Sequence, residues 1–163
     1  MLRTGRKGLA AATLILDMLK GTAAVILAER LLGGGQIAAI GALVGHLYPL
    51  WLRFNGGKGV ATLFGLILGF AWLRELSWLA PLAFAIAWVG ALLLTRYSSA
   101  GGLTAALVAP VAAALLGRFD LALLLLGCAL LVVWKHRGNI ARLLSGTEPK
   151  VGKGKAAPDP ADG

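Results

Sequence analysis

A chain of 163 residues that is 58% apolar and only 14% charged, with a mean hydropathy of +0.81, has too little polar surface to clothe a soluble globule and reads as an integral membrane protein. Its formal net charge of +9 does not mark a nucleic-acid partner, because the basic residues punctuate apolar segments and form no stripe interleaved with exposed aromatics. The single cysteine, Cys128, lies inside an apolar segment, which excludes an intrachain disulfide and makes it a small hydrophobe.

The start through Lys7 is basic, but the segment behind it carries Asp17 and Lys20 and no small-residue cleavage site, so it reads as a retained span and not a secretory signal. Apolar stretches follow at 9–32, 37–52, 60–73, 76–95, 100–117 and 121–134. A lipid-crossing helix needs about 20 residues, so the pattern predicts an all-α integral membrane protein, a polytopic bundle of about six transmembrane or partly re-entrant helices. The short third stretch is the candidate half-helix or re-entrant element, whose backbone has to be covered by protein or line a cavity. Residues 1–148 make a single transmembrane domain, and the Lys/Gly/Pro/Ala/Asp-rich stretch 149–163 is expected to be a disordered tail. Twelve of the sixteen basic residues (Arg3, Arg6, Lys7, Arg53, Lys58, Arg96, Lys135, Arg137, Arg142, Lys150, Lys153 and Lys155) fall on one side of this layout. Arg30, Arg74 and Arg118, each near an acid, fall on the other, and Lys20 lies within the first span. By the positive-inside rule both termini and the loop around Lys58 are cytoplasmic.

That loop, Asn55-Gly-Gly-Lys-Gly59, precedes a new apolar segment. Gly56, Gly57 and Gly59 let backbone donors approach a ligand, Lys58 adds charge, and the following helix start adds unpaired N–H groups, which together make an anion cradle suited to phosphate. It is not a Walker A loop, since Gly59 stands where Ser or Thr would follow the lysine. The same composition also suits a plain cytoplasmic turn with a positive-inside lysine. Asp17 and Lys20 share a helix face inside the first span, as a cavity lining or a structural ion pair. His46, ahead of Pro49, reads first as a helix-to-helix hydrogen bonder. Ser98 and Ser99 stand where the chain leaves the fourth span, placed to cap a helix or to donate to a phosphate there. The run from Trp134 to Glu148, if helical, puts His136, Asn139 and Arg142 on one face at successive i, i+3 steps, with Leu143 and Leu144 opposite. Such a face binds an oxyanion, or lies on a membrane with its cations toward anionic lipid heads.

Taken together, His46-Leu-Tyr-Pro49, Phe54-Asn-Gly-Gly-Lys-Gly-Val-Ala-Thr62, Arg96-Tyr-Ser-Ser99 and Lys135-His-Arg-Gly-Asn-Ile-Ala-Arg-Leu-Leu-Ser-Gly-Thr-Glu148 closely resemble the bacterial membrane acyl-phosphate:glycerol-3-phosphate acyltransferase family in order, spacing and membrane context. The resemblance implies transfer of an acyl group from acyl phosphate to the 1-hydroxyl of glycerol 3-phosphate, giving lysophosphatidic acid and phosphate, in the bacterial cytoplasmic membrane. It implies no metal and no cofactor. Partners are the two substrates and membrane lipids, with the enzyme that makes acyl phosphate as a further candidate. The glycine loop (Asn55, Gly56, Gly57, Lys58, Gly59) matches the family's glycerol-3-phosphate site, with Ser99 and Arg142 as further phosphate ligands. Ser98, His136, Asn139 and Lys58 match active-site positions, and His46, Asp17, Lys20 and Glu148 are supporting. In the family a substrate phosphate accepts the hydroxyl proton, which leaves His136 to orient or polarise a substrate; the alternative role for His136 is that of a base. The His-x4-Asp pattern of soluble-donor acyltransferases is absent, since Trp51 and Ala141 stand at that distance from His46 and His136.

The family also carries a first span and a Ser/Arg-bearing loop ahead of a segment similar to Leu2-Arg-Thr-Gly-Arg-Lys-Gly8, so the domain is expected to be N-terminally incomplete, with six of seven spans. Rival readings are a small transporter of a phosphate-bearing metabolite, against which no internal repeat is visible, a non-catalytic scaffold, and an inactive fragment of the acyltransferase.

Overall fold

The computed structural model describes residues 7–152, and among these every regular element is helical: α1 (Lys7–Leu32), α2 (Gly35–Leu47), a 3-10 turn (Leu50–Leu52), α3 (Val60–Trp72), α4 (Leu79–Thr95), α5 (Ser98–Leu115), α6 (Phe119–Lys135) and α7 (Arg137–Leu144). Each of the six apolar stretches has become one helix. Arg3, Arg6, Lys153, Lys155 and most of the expected tail lie outside the described residues. Glycines with positive φ stand just past three of the helices, Gly33 (φ 64°) after α1, Gly117 (φ 76°) after α5 and Gly146 (φ 70°) after α7, and Arg96 takes the same conformation after α4 (φ 62°).

Three helices are by themselves long and apolar enough to cross a membrane: α1, α2 with its 3-10 extension, and α5. Among the described residues α6 and α7 pass the same test only together, as a pair bent by 60° at their junction, the geometry of a broken span or a re-entrant element. The apolar helices α3 and α4 are shorter, with 13 and 17 residues, or roughly 20 and 25 Å at 1.5 Å per residue. Eight of the thirteen residues of α3 are buried, so the short third segment survives because protein encloses it.

Close approach of α1 and α3 depends on missing side chains. A Cβ on Gly65 would run into the Met18 backbone, on Gly69 it would lie 2.8 Å from Val25 Cβ, and on Gly21 it would lie 2.6 Å from the Thr62 carbonyl oxygen. The two helices are therefore parallel and nearly in backbone contact, and Thr22 Oγ1 donates across the seam to the Gly65 carbonyl at 2.9 Å. Leu43, Leu47, Leu63, Leu66, Phe70, Leu121 and Leu125 are fully buried in the shared core. The outward faces are apolar as well: Leu27, Leu31, Leu93, Leu94, Leu115 and Leu123 are all more than half exposed, as lipid contact requires. At the end of the bundle opposite Lys58, Arg118 pairs with Asp120 at 2.9 Å and Gln36 Nε2 donates to the same carboxylate at 3.2 Å.

Candidate active site

The glycine loop is built against the end of α2. Past the 3-10 turn, Arg53 and Phe54 both take positive φ (49° and 62°) and reverse the chain. The Gly56 amide then donates to the Leu47 carbonyl and the Gly57 amide to the His46 carbonyl, each at 3.2 Å. A Cβ on Gly56 would lie 2.5 Å from Pro49 Cδ and 2.7 Å from the Leu47 oxygen, and one on Gly57 would strike the His46 ring. Gly59, with φ 84°, caps α3 with Leu43 and Leu47 methyls 2.9 Å from where its Cβ would be. These glycines thus let the loop tuck under α2, and the amides of Gly56 and Gly57 are engaged inside the protein. Lys58 lines the cavity at this end beside the first turn of α3, whose helical bonding begins only with Leu63 N to Gly59 O and so leaves its first N–H groups without a partner in the helix. That differs from a cradle made of glycine amides. Asn55 is exposed, donating weakly to the Arg53 carbonyl, and does not line the cavity.

Behind the loop, residues far apart in sequence meet. Lys20 Nζ lies 2.5 Å from Asp17 Oδ1 and 2.6 Å from His46 Nδ1, with Asp17 and His46 3.4 Å apart. The three support the loop from outside the cavity, since the His46 ring is what a side chain on Gly57 would meet. Lys135, to which sequence reasoning assigned no role at the site, donates to the Leu47 carbonyl at 2.8 Å and sits 4.5 Å over the Tyr48 ring, satisfying the C-terminal end of α2.

The opposite wall comes from the start of α5, the α6/α7 junction and the chain beyond. The expected continuous face through His136, Asn139 and Arg142 is broken: α6 ends and α7 begins at His136, so that residue sits in the elbow and only Asn139 and Arg142 share a helical face. The elbow buries His136 to 2% exposure. His136 Nδ1 is 2.8 Å from the Val132 carbonyl, which can only accept, so Nδ1 carries the proton. In the neutral ring Nε2 is then an acceptor, turned toward α5, 3.4 Å from the position a Cβ of Gly102 would occupy.

Glu148, expected only as a supporting residue, is the hub. Its Oε1 accepts from Ser99 Oγ at 2.7 Å and from Asn139 Nδ2 at 2.6 Å, and its Oε2 accepts from Arg142 Nε at 2.7 Å. Burial works to raise this carboxyl, but the hydrogen bonds from Ser99, Asn139 and Arg142 outweigh it and hold Glu148 below the usual carboxylate range. Lys58 is lowered from its ordinary value, chiefly by desolvation in the cavity; the Glu148 charge pulls it up and the Arg142 charge pulls it down. Residues 149–152, read from composition as the start of the tail, are pinned here: Val151 N donates to the Arg96 carbonyl at 2.8 Å, Arg96 Nη2 donates back to the Val151 carbonyl at 3.2 Å, and Lys150 lies 5.5 Å over the Tyr97 ring.

Between these walls lies a half-open cavity of about 850 Å³. One end is polar, lined by Lys58, Ser98, Ser99, His136, Asn139, Arg142 and Glu148; the other is apolar, lined by Leu14, Met18, Phe64, Phe84, Trp88 and Val89. The apolar wall was not legible as a site, because its residues carry the same signal as any lipid-facing or core position.

A family profile described as glycerol-3-phosphate acyltransferase matches residues 1–146. The chain belongs to the glycerol-3-phosphate acyltransferase family. It is 49% identical over 158 residues to the glycerol-3-phosphate acyltransferase of Rhodopseudomonas palustris (strain BisB5), covering 95% of this chain and 77% of that one. With the Brucella ovis enzyme of the same name it shares 52% identity over 153 residues, 93% and 73% of the two chains. Among solved structures it is similar to PlsY (YgiH), an integral membrane glycerol 3-phosphate acyltransferase, in its glycerol 3-phosphate form (TM-score 0.80, 30% identity, 90% of this chain and 72% of that chain) and its lysophosphatidic acid form (TM-score 0.79, 30% identity).

Proposed function

We propose that the protein transfers the acyl group of an acyl phosphate to the 1-hydroxyl of glycerol 3-phosphate, releasing lysophosphatidic acid and inorganic phosphate into phospholipid synthesis. The observation that carries this reading is the two-ended cavity, whose basic, hydrogen-bonding end suits phosphate while its apolar end suits a fatty chain. Lys58, with Arg142 behind it, offsets the negative charge that builds on the acyl oxygen and the departing phosphate. The hydroxyl oxygen bonds to the acyl carbon, the bond from that carbon to the phosphate oxygen breaks, and phosphate leaves with the electron pair. His136 Nε2, an acceptor while Nδ1 donates to Val132, holds the attacking hydroxyl, and its proton passes to a substrate phosphate oxygen. Ser98, exposed at the start of α5, and Asn139 complete the phosphate end. The protein lies in the bacterial cytoplasmic membrane with the Lys58 end and the C-terminus facing the cytoplasm, on the strength of the basic-residue distribution.

The test is product formation by the purified protein in lipid vesicles, given acyl phosphate and labelled glycerol 3-phosphate. Lysophosphatidate and phosphate should appear in equal amounts, and His136→Ala and Asn139→Ala should each lower kcat by about 100-fold or more. Uptake of label into vesicles without lysophosphatidate would make the protein a transporter.

A further inference from the structure

We infer that the stacked rings of Phe64 and Phe84 are the floor of the acyl subsite and set the length of chain the protein accepts; the inference rests on the acyl-transfer reading above. The cavity descends between α1, α3 and α4. On α3 its wall begins at Val60 and Ala61 and ends one turn later at Phe64. On α4, which runs the other way, the wall descends from Val89 and Trp88 through Ala85 to Phe84. One turn deeper the lining stops: Ile67 on α3 is fully buried, Ala80 on α4 is 1% exposed, and neither they nor Leu68 line the cavity.

At that closing level the two rings lie face to face, with centroids 5.2 Å apart and planes inclined by 23°, and Phe84 is 3% exposed. Met18 stands at the same depth on α1, because its backbone is what a Cβ on Gly65 would strike, beside Phe64. From Val89 to Phe84 the α4 wall is five residues, or roughly 8 Å. A chain whose carbonyl sits among Lys58, Ser98 and His136 therefore runs down this wall and meets the ring pair end-on. Chains too short leave apolar wall wet, and chains too long have to fold back or turn out into the bilayer between α1 and α4.

The experiment compares kcat/KM across saturated acyl phosphates from octanoyl to stearoyl, read as the ratio between the donor two carbons beyond the wild-type optimum and the optimum itself. Phe84→Ala and Phe64→Ala should raise that ratio about fifteenfold, the product of two methylenes at about fourfold each. Ala85→Phe, which adds a ring just above the floor, should move the optimum to shorter chains. Phe84→Leu, a milder change, guards against loss of fold, and thermal protection by lysophosphatidates of the same chain lengths reads the floor without turnover. Folded variants with wild-type chain-length profiles in both measurements would overturn the inference and show that the chain leaves sideways into lipid. A wild-type protein that transfers no acyl group while its variants still shift the protection series would instead defeat the acyl-transfer reading and leave the floor standing.

Discussion

Gly57→Ala offers a direct trial of the account given for the glycine loop. The new Cβ would stand 2.7 Å from His46 Cε1 and closer still to Nε2. That ring is not free to withdraw, because its Nδ1 is held 2.6 Å from Lys20 Nζ. Overpacking of this kind costs about 1–3 kcal/mol, and escape by shifting the loop also forfeits the Gly57 N to His46 O bond, about 1 kcal/mol more. The loop carries Lys58 with it, so a loss of roughly 2–3 kcal/mol should surface as a 30- to 150-fold rise in KM for glycerol 3-phosphate, with a smaller fall in kcat. Gly56→Ala should be worse, since its obstacles are the backbone oxygen of Leu47 and the Pro49 ring, neither of which has a rotamer to retreat to. In the double variant with His46→Ala the obstacle at Gly57 is gone, and the Gly57→Ala penalty should shrink by about 1–3 kcal/mol, a coupling that initial rates on the four members of the cycle measure. If Gly57→Ala costs as much without the ring as with it, or if Gly56→Ala is harmless, the loop is not braced on α2 as described.

Glu148→Gln leaves three donors facing an amide and should cost about 2–3 kcal/mol at neutral pH, measured by thermal unfolding in detergent. Because the folded carboxyl is held below the usual range, its contribution is present above the ordinary glutamate value and fades as pH falls through the lowered one, so the stabilities of wild type and Glu148→Gln should approach each other as pH falls below the ordinary glutamate value. Gly65→Ala should lower the melting temperature by prising α1 from α3, while Gly90→Ala and Gly127→Ala, with open space at their Cβ positions, should cost nothing. In a Cys128→Ala background, a cysteine at Ser145 should react with an impermeant thiol reagent only after the cells are opened, and labelling from outside intact cells would reverse the proposed orientation.

The helices were legible because apolar runs bounded by basic and glycine punctuation state their own limits, and each of the six stretches matches one helix to within a few residues. What pattern could not supply was the partner of each polar group. Local spacing put His136, Asn139 and Arg142 on one face, but the chain breaks at His136, and the elbow gives that ring a different neighbourhood from the other two. The acid at 148 was visible just past a run of donors, yet only folding brings it back to Ser99, forty-nine residues earlier. The glycines were read as a device for approaching a ligand, and the hydrogen bonds show two of them serving the protein's own backbone. Gly65 and Gly69, four apart on α3, form a small-residue seam that their spacing alone announces.

The carboxylate that ties α5 to α7 lies beyond α7, so inserting helices α1 to α7 does not finish the site. Until residue 148 has left the ribosome, Ser99, Asn139 and Arg142 have nothing to gather around, however completely the bundle behind them has packed. Competence therefore waits on residue 148, and a nascent chain stalled just before it would be a membrane-seated bundle with an unassembled site.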